Sequence, residues 1–182
     1  MILGFNEVRI KVGTRIETKL PDFYLRFATE QDVDTVLDFI KHIADYEKMS
    51  DQVQVTREIL HQSLFVRHAA EAILAYEGDT VVGFAVFFEN FSTFTGKPGL
   101  YLEDLFVLPE YRGKGYGKAL LCFLAQLAVE RDCARMEWTC LNWNTPSLRF
   151  YQTLDARTMD EWTVHRLTGG TLERAAAQFP GK

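Results

Sequence analysis

The chain has 182 residues, of which 47% are hydrophobic and 25% charged, so it can bury one sizeable core and is neither disordered nor fibrous. Its net charge of -5 argues against nucleic acid as the main partner, because phosphates bind to surplus Lys and Arg. The acid excess suits a cationic small substrate, although it is explained equally well by an acidic surface that only keeps the protein soluble.

The first half of the chain predicts a strand, two helices and a hairpin. Residues 1–22 mix charged and β-branched residues without a period, so we expect an N-terminal extension of uncertain structure. Thr29 and Asp32 approximate a capping box at the start of the first helix, and Glu77-Gly78-Asp79 is typical of a hairpin turn. The apolar periods predict a strand at 23–27, a first helix that begins at Thr29 with its apolar residues over 33–44, a second helix at 56–66, and hairpin strands at 72–76 and 81–90.

The second half predicts a strand-helix-strand crossover. Thr145 and Pro146 are expected to be the N-cap and first residue of a helix, and the helix that follows the glycine-rich turn is apolar nearly all round, hence buried. Nothing marks an interdomain boundary, so we predict that 23–182 form a single α/β or α+β domain with helices on both faces of its sheet. The predicted elements are a loop at 91–99, strands at 100–108, 134–141 and 162–167, and helices at 117–131, 146–154 and 171–178.

The cysteines, the histidines and the apolar runs bear on location and metal binding. Cys122, Cys133 and Cys140 are an odd number in apolar or strand-like runs, so we expect buried free thiols in a reducing compartment. The four histidines have no ligand spacing, which predicts that no metal is bound. The longest apolar run, 119–128, is too short to cross a bilayer, and charged residues interrupt the apolar N-terminus. We expect a cytoplasmic protein without membrane contact.

A glycine-rich turn at 112–118 carries the clearest functional pattern. Its sequence is Arg-Gly-Lys-Gly-Tyr-Gly-Lys, with three alternating glycines between a predicted strand and a helix. The glycines let backbone N–H groups come close to an anion, and the helix N-terminus adds partial positive charge, so a phosphate or pyrophosphate is the expected ligand. A Rossmann fingerprint would need glycine at Lys118 and a Walker loop would need glycine at Arg112, so neither standard nucleotide motif fits.

The spacing of Arg112, Gly115 and Gly117 resembles the acetyl-CoA pyrophosphate loop of the GNAT superfamily of N-acetyltransferases. Further segments narrow the resemblance to its diamine, or spermidine/spermine, branch over about 23–167. The resemblance implies a GNAT-like mixed, largely antiparallel sheet of about six to seven strands, acetyl-CoA as cosubstrate and a homodimer. The segments are Tyr-Leu-Glu-Asp-Leu-Phe-Val at 101–107, Trp-Asn at 143–144, Pro-Ser at 146–147, Phe-Tyr at 150–151, and Ala-Asp-Tyr-Glu at 44–47 followed by Met49.

The resemblance also implies how the cosubstrate is held. The strand backbone would pair with the pantetheine arm, and one of its N–H groups would polarise the thioester carbonyl, since a fixed donor stabilises developing charge better than mobile water does. The glycine-rich loop would take the pyrophosphate, and the start of the later helix would contact CoA. The residues implied are Leu105, Phe106, Val107, Arg112, Gly113, Lys114, Gly115, Tyr116, Gly117, Lys118, Asn144, Pro146, Ser147 and Tyr151.

Two residues carry the chemistry that the resemblance implies. Tyr151 aligns with the family's general acid, a phenol that would protonate the departing CoA thiolate. Glu103 matches the carboxylate that faces the amine and accepts its proton, directly or through water. Strand alternation predicts that the side chain of Glu103 shares a face with Leu105 while Asp104 points to the other face, and the apolar neighbours predict that Glu103 is buried.

Tyr46 and Glu47, at the end of the first predicted helix, match the branch's substrate-binding pair. The resemblance therefore implies that a polyamine, diamine or similar cationic amine attacks acetyl-CoA directly in a ternary complex. Two alternatives stay open: an enzyme for another primary amine, such as a thialysine-like or lysine-like amino acid or an aminoglycoside, and a non-catalytic acyl-CoA-binding sensor. The presence of both Tyr151 and Glu103 weighs against the sensor.

Overall fold

A mixed β-sheet organises the first part of the protein. The computed structural model describes residues 13–181, and within them six strands form one sheet in chain order. The first five strands pair antiparallel with their neighbours, and the last runs parallel to the fifth. This confirms the predicted mixed, largely antiparallel sheet. The strands are β1 Arg15–Glu17, β2 Phe23–Phe27, β3 Glu71–Glu77, β4 Thr80–Ser92, β5 Lys97–Val107 and β6 Met136–Trp138.

The described residues fall into two compact units, one ending at Thr139 and the other beginning at Cys140. The first contains the sheet and three helices, and the second contains two further helices. That 23–182 form a single domain stays a prediction. The helices are α1 Val33–Glu47, α2 Arg57–His61, α3 Tyr116–Glu130, α4 Thr145–Gln152 and α5 Gly170–Ala176, and α2 continues into a π-helical turn, Gln62–Val66.

The start of α1 has the predicted capping chemistry. The backbone N–H and the hydroxyl of Thr29 each donate to the Asp32 carboxylate at 2.7 Å, which completes the capping box. The guanidinium of Arg26 binds both oxygens of the same carboxylate at 2.9 and 2.8 Å. Because Arg26 belongs to β2, this carboxylate ties the helix to the sheet as well as capping it.

Helices cover both faces of the sheet, as predicted. On one face α1 and α2 pack on a core that includes Val33, Val36, Phe39, Leu60, Leu64, Leu74, Phe84, Val86 and Phe106. On the other face Phe27 of β2 contacts the rings of Phe87 at 6.4 Å and of Phe123 in α3 at 6.2 Å. Burying one such aromatic or aliphatic side chain stabilises the fold by about 1.5 to 3 kcal/mol.

The hairpin of β4 and β5 is longer than predicted. Phe91 pairs with Pro98, and the strands reach Ser92 and Lys97, so the predicted loop at 91–99 shrinks to a four-residue turn. The prediction of Pro98 and Gly99 as loop residues is wrong, because both belong to β5. Any larger residue at Gly99 would require the side chain of the facing Asn90 to move, because an added Cβ would overlap its Oδ1.

The prediction that α3 is buried all round is wrong. Only one side of the helix is buried, and Cys122 and Val129 on the other side are exposed. The expected burial of all three thiols is therefore wrong for Cys122, while Cys133 and Cys140 are half-buried. The buried residues of α3 are Tyr116, Leu120, Leu121, Leu124, Leu127 and Ala128.

The ends of the chain differ from prediction in three places. Ile16 of β1 pairs with Leu25, so part of the predicted extension forms an edge strand, while residues 1–12 lie outside the described residues. The predicted strand at 134–141 is reduced to β6. Residues 162–167 have no regular secondary structure, because β-branched and aromatic side chains form a strand only where a partner strand pairs with them.

Two searches over the described part of the chain concern membranes and metals. No helix within residues 13–181 is long and apolar enough to span a bilayer. In the same residues, no group of three or more His, Cys, Asp or Glu side chains is arranged to hold a metal ion.

Candidate active site

The glycine-rich loop joins β5 to α3 through a short 3-10 turn, Pro109–Tyr111. Gly113 and Gly115 adopt φ values of 81° and 89°, the left-handed region that other residues rarely adopt. Gly115 is the N-cap of α3, and the N–H groups of the first helical turn have no acceptor within the helix. Backbone donors and the positive end of the helix dipole thus coincide at this loop, as anion binding requires.

The two lysines of the loop have different surroundings. The ammonium of Lys114 binds both oxygens of the Glu77 carboxylate, at 3.0 and 2.8 Å. The hydrogen bond from Lys114, with a second from the Tyr116 hydroxyl at 2.6 Å, holds the pKa of Glu77 below its usual value. Lys118 is exposed and makes no ion pair with the residues that the structure describes, so its charge is available to an anion.

Tyr116 anchors the loop from inside the core. Its ring stacks on Phe23 of β2 with a centroid distance of 4.0 Å. Burial, together with the hydrogen bond to the Glu77 carboxylate, raises the pKa of Tyr116 to about 12. The side chain is therefore structural, and only the backbone of this residue can face a ligand at the loop.

Arg112 extends away from the loop. Its Nε donates to the backbone carbonyl of Val107 at 2.9 Å. Its guanidinium carbon lies 4.9 Å from the ring centroid of Tyr46 and 5.0 Å from that of Phe106. The charge of Arg112 therefore lies against the end of β5 and the end of α1 in this structure.

The end of β5 offers a free backbone edge. Leu100, Tyr101 and Leu102 pair with β6, which ends at Trp138 opposite Leu102. Among the described residues, no strand pairs with 105–107 on that side. Phe106 belongs to the core under α1, whereas Leu105 and Val107 lie beside Gly117 of α3. The side chains are thus held in both cores, and the backbone edge is left for strand-like pairing except at the Val107 carbonyl, which accepts from Arg112.

A β-bulge interrupts β5 beside this edge. Leu102 pairs with Phe87 and Asp104 with Val86, so Glu103 has no partner on β4. Val86 belongs to the core under α1, and Phe87 contacts the aromatic rings on the α3 side. Leu102 and Asp104 therefore lie on opposite faces although they are two residues apart.

The bulge corrects the predicted arrangement of the acids. Strand alternation does not hold across the bulge, so it no longer places Glu103 with Leu105. The prediction that Glu103 is buried is wrong, because its side chain is exposed and that of Asp104 is half-buried. Sequence reasoning missed Asp104 as a candidate functional residue; the signal was two adjacent carboxylates in an otherwise apolar strand.

Three carboxyl groups come together near the bulge. Burial, followed by the charges of Glu103 and Glu47, raises the pKa of Asp104 to about 6. Burial also raises the pKa of Glu47, at the end of α1. Next to Glu47, the ring of Tyr46 meets that of Phe106 at 6.0 Å. The residues of α1 and β5 that were predicted to bind the amine substrate are therefore neighbours. A bound cation would relieve the repulsion among their carboxylates.

The second unit carries the remaining predicted residues. Asn144 rather than Thr145 is the N-cap of α4, and its Oδ1 accepts from the Ser147 N–H at 3.4 Å. Pro146 lies in the first turn. Tyr151 is half-buried near the end of α4, with its ring 5.4 Å from that of Phe150. The contacts of these residues with CoA stay predictions.

A similar fold occurs in solved structures. An integron cassette protein from V. cholerae superposes with a TM-score of 0.72 at 28% identity, covering 85% of this chain and 98% of that one. This similarity shows the fold, and the class of acetyltransferases is shown by the sequence comparisons.

The particular family follows from the sequence comparisons. The family model described as "Acetyltransferase (GNAT) family" matches residues 36–155, and the chain belongs to this family. It is 33% identical over 166 residues to thialysine N-epsilon-acetyltransferase of Sus scrofa, covering 85% of this chain and 97% of that one. It is 30% identical over 161 residues to spermidine/spermine N(1)-acetyltransferase-like protein 1 of Homo sapiens, covering 82% of this chain and 23% of that one.

These findings confirm the resemblance that the loop and the neighbouring segments predicted. The protein is an enzyme that transfers an acetyl group to an amine, and acetyl-CoA is the cosubstrate of its family.

Proposed function

We propose that this enzyme acetylates a terminal primary amine of a small cationic molecule, a polyamine or diamine in the first place. The observation that carries the proposal is the group of acids formed by Glu47, Glu103 and Asp104. The raised pKa of Asp104, caused by burial and then by its two acidic neighbours, means that a negative charge there lacks compensation. An ammonium group supplies that compensation, and a diamine carries two of them.

In the proposed reaction the amine nitrogen attacks the acetyl carbonyl carbon, and the carbon–sulfur bond breaks. An aliphatic amine with a pKa near 10.4 is mostly protonated at pH 7, so it must first lose a proton. Exposed Glu103 accepts that proton directly or through water, while half-buried Asp104 holds the cation. CoA leaves as a thiolate, which Tyr151 protonates.

For the cosubstrate, we propose that pantetheine lies along the free edge of 105–107. Its amides can bond to this backbone as an added strand would, and one N–H stabilises the oxyanion of the tetrahedral intermediate. The pyrophosphate binds to backbone N–H groups at Gly113 to Gly117 and to Lys118. Lys114 contributes less than predicted, because Glu77 already neutralises it.

A second candidate substrate is an amino acid with a terminal amine, such as thialysine. The similarity to a thialysine enzyme over nearly all of that enzyme's length favours it. An amino acid, however, brings a carboxylate towards three acidic side chains, which opposes its binding unless that carboxylate lies elsewhere.

The test is a thiol-release assay with acetyl-CoA and matched amines. Cadaverine and L-lysine carry the same terminal amine and differ by the α-carboxylate, and spermidine and thialysine extend each class. We expect a higher kcat/KM for cadaverine and spermidine. A preference for thialysine and lysine would favour the second candidate substrate. If the protein binds CoA but no amine causes thiol release, the non-catalytic acyl-CoA-binding alternative is favoured.

A homodimer in the cytoplasm is part of the proposal, and light scattering of the purified protein tests the dimer.

A further inference from the structure

We propose that Arg112 is a positioning residue that links the cosubstrate loop to the amine side of the site, and that it is not itself the main phosphate ligand. The inference rests on the proposed function for the roles of the loop and of Tyr46. It is based on the direction of the Arg112 side chain, which extends away from the loop towards Tyr46.

The contacts of the Arg112 side chain join the cosubstrate edge of β5 to the end of α1. Nε donates to the last carbonyl of β5, at Val107, and the guanidinium lies over the rings of Tyr46 and Phe106 at about equal distances, 4.9 and 5.0 Å. Phe106 in turn contacts Tyr46 and is stacked on His42 at 6.3 Å. Arg112 thus completes an aromatic cluster that joins β5 to the last turns of α1.

These contacts require arginine. A planar guanidinium can lie over an aromatic ring while its Nε donates in the plane of the guanidinium itself. The ammonium of lysine is a point charge without this fixed geometry. Removal of the guanidinium would take away one of the contacts of the Tyr46 ring and leave the Val107 carbonyl without this donor. Both groups border the proposed reaction centre.

The linkage follows from where Arg112 sits in the chain. Its backbone immediately precedes Gly113, the first glycine of the loop, and its side chain holds Tyr46 beside Glu47. An anion that orders the loop also fixes the backbone position of Arg112. The guanidinium is then held in place, and its contact with the ring restrains Tyr46. Acetyl-CoA and the amine should therefore bind cooperatively, and the coupling should be reciprocal.

The experiment compares Arg112→Lys with the matched loop variant Lys118→Gln. Calorimetry gives the Kd of CoA, and thiol release gives KM for cadaverine and thialysine. Arg112→Lys should raise KM for the amine about two- to fivefold, the range of a cation–π contact at an exposed site. Its Kd for CoA should stay within about twofold of wild type, whereas Lys118→Gln should raise that Kd about tenfold, as for a lost charge-assisted bond.

A second readout does not depend on the amine. In wild type, addition of CoA should shift the aromatic NMR signals of Tyr46, assigned by comparison with Tyr46→Phe, and in Arg112→Lys the shift should be lost. The proposal is overturned if Arg112→Lys weakens CoA binding as much as Lys118→Gln does, or if the Tyr46 signals respond to CoA equally in both proteins. If neither amine is a substrate but the NMR result holds, the proposed substrate fails and the link through Arg112 stands.

Discussion

The carboxyl group of Asp104 lies on the same face of the sheet as the ring of Phe106, the face that α1 covers. Pairing fixes both positions, because Asp104 faces Val86 and Phe106 faces Phe84. The adjacent Glu103 has no partner and is exposed. Two neighbouring carboxylates therefore have different environments, as a cation binder and a proton acceptor require.

The first prediction concerns the pH dependence of amine binding. As the pH falls through about 6, Asp104 takes up a proton and loses its attraction for an ammonium group. We expect KM for the amine to rise over this range in wild type and to be higher but independent of pH in Asp104→Asn. Initial rates at saturating acetyl-CoA measure it. The same pH profile in both proteins would exclude Asp104 as the group whose titration controls amine binding.

The same group makes a prediction about stability. The pKa of Asp104 is raised from 3.8 to about 6, so the folded state favours its protonated form. The free energy of unfolding should fall as the pH rises between these values and change no further from this cause above them. Asp104→Asn should remove up to about 3 kcal/mol of that penalty at pH 7. Thermal unfolding checks the sign, and Glu103→Gln should act in the same direction by a smaller amount, because the charge of Glu103 contributes to the raised pKa of Asp104.

Glu77 is predicted to stabilise the loop only when ionised. Its pKa is held below the usual value, chiefly by Lys114, so its contribution is present at neutral pH and is lost as the pH falls through the lowered pKa. Glu77→Gln should lower Tm at pH 7 and leave it unchanged in acid. Lys114→Met should have a similar effect, and the double variant should be no worse than either single one.

Asn144 allows its cap role to be separated from cosubstrate binding. Asn144→Ala should lower the stability of α4 by about 1 kcal/mol, whereas Asn144→Asp keeps the capping oxygen and should not. If Asn144 also contacts CoA through its amide, the Asp variant should still raise KM for acetyl-CoA. An unchanged KM in Asn144→Asp would leave the residue with the cap alone.

Tyr151→Phe tests the general acid. Phenylalanine keeps the ring but cannot donate a proton, so kcat should fall about a hundredfold, the range for a lost acid. KM for acetyl-CoA should change little. Tyr111→Phe, which alters a tyrosine of the 3-10 turn, serves as the control. An unaffected kcat at every pH would show that the thiolate needs no acid from Tyr151.

The parts that sequence predicted well are those that depend on local chemistry. Phe23–Phe27 forms a strand with the predicted bounds, because its side chains alternate between the two cores. Thr29 and Asp32 form the capping box, and the glycine-rich loop precedes α3, because caps and left-handed turns are fixed by a few consecutive residues.

The parts that sequence could not supply depend on distant partners. A bulge at Glu103 is a mismatch between two strands, so β5 alone does not reveal it. Likewise, the sequence does not show which group the guanidinium of Arg112 contacts. Only the folded structure brings the ring of Tyr46 next to it. The segment at 162–167 has strand-like composition but pairs with no strand among the described residues.

The unpaired position of Glu103 has a consequence for chain length. If this residue were deleted, Leu102 and Asp104 would become consecutive and would still face Phe87 and Val86, in unbroken alternation. The pairing of β4 with β5 would thus be kept after the deletion. A shortened protein should fold with both cores intact and yet lack the proposed proton acceptor, so under our proposal the extra residue in this strand is explained by the chemistry and not by the pairing of the sheet.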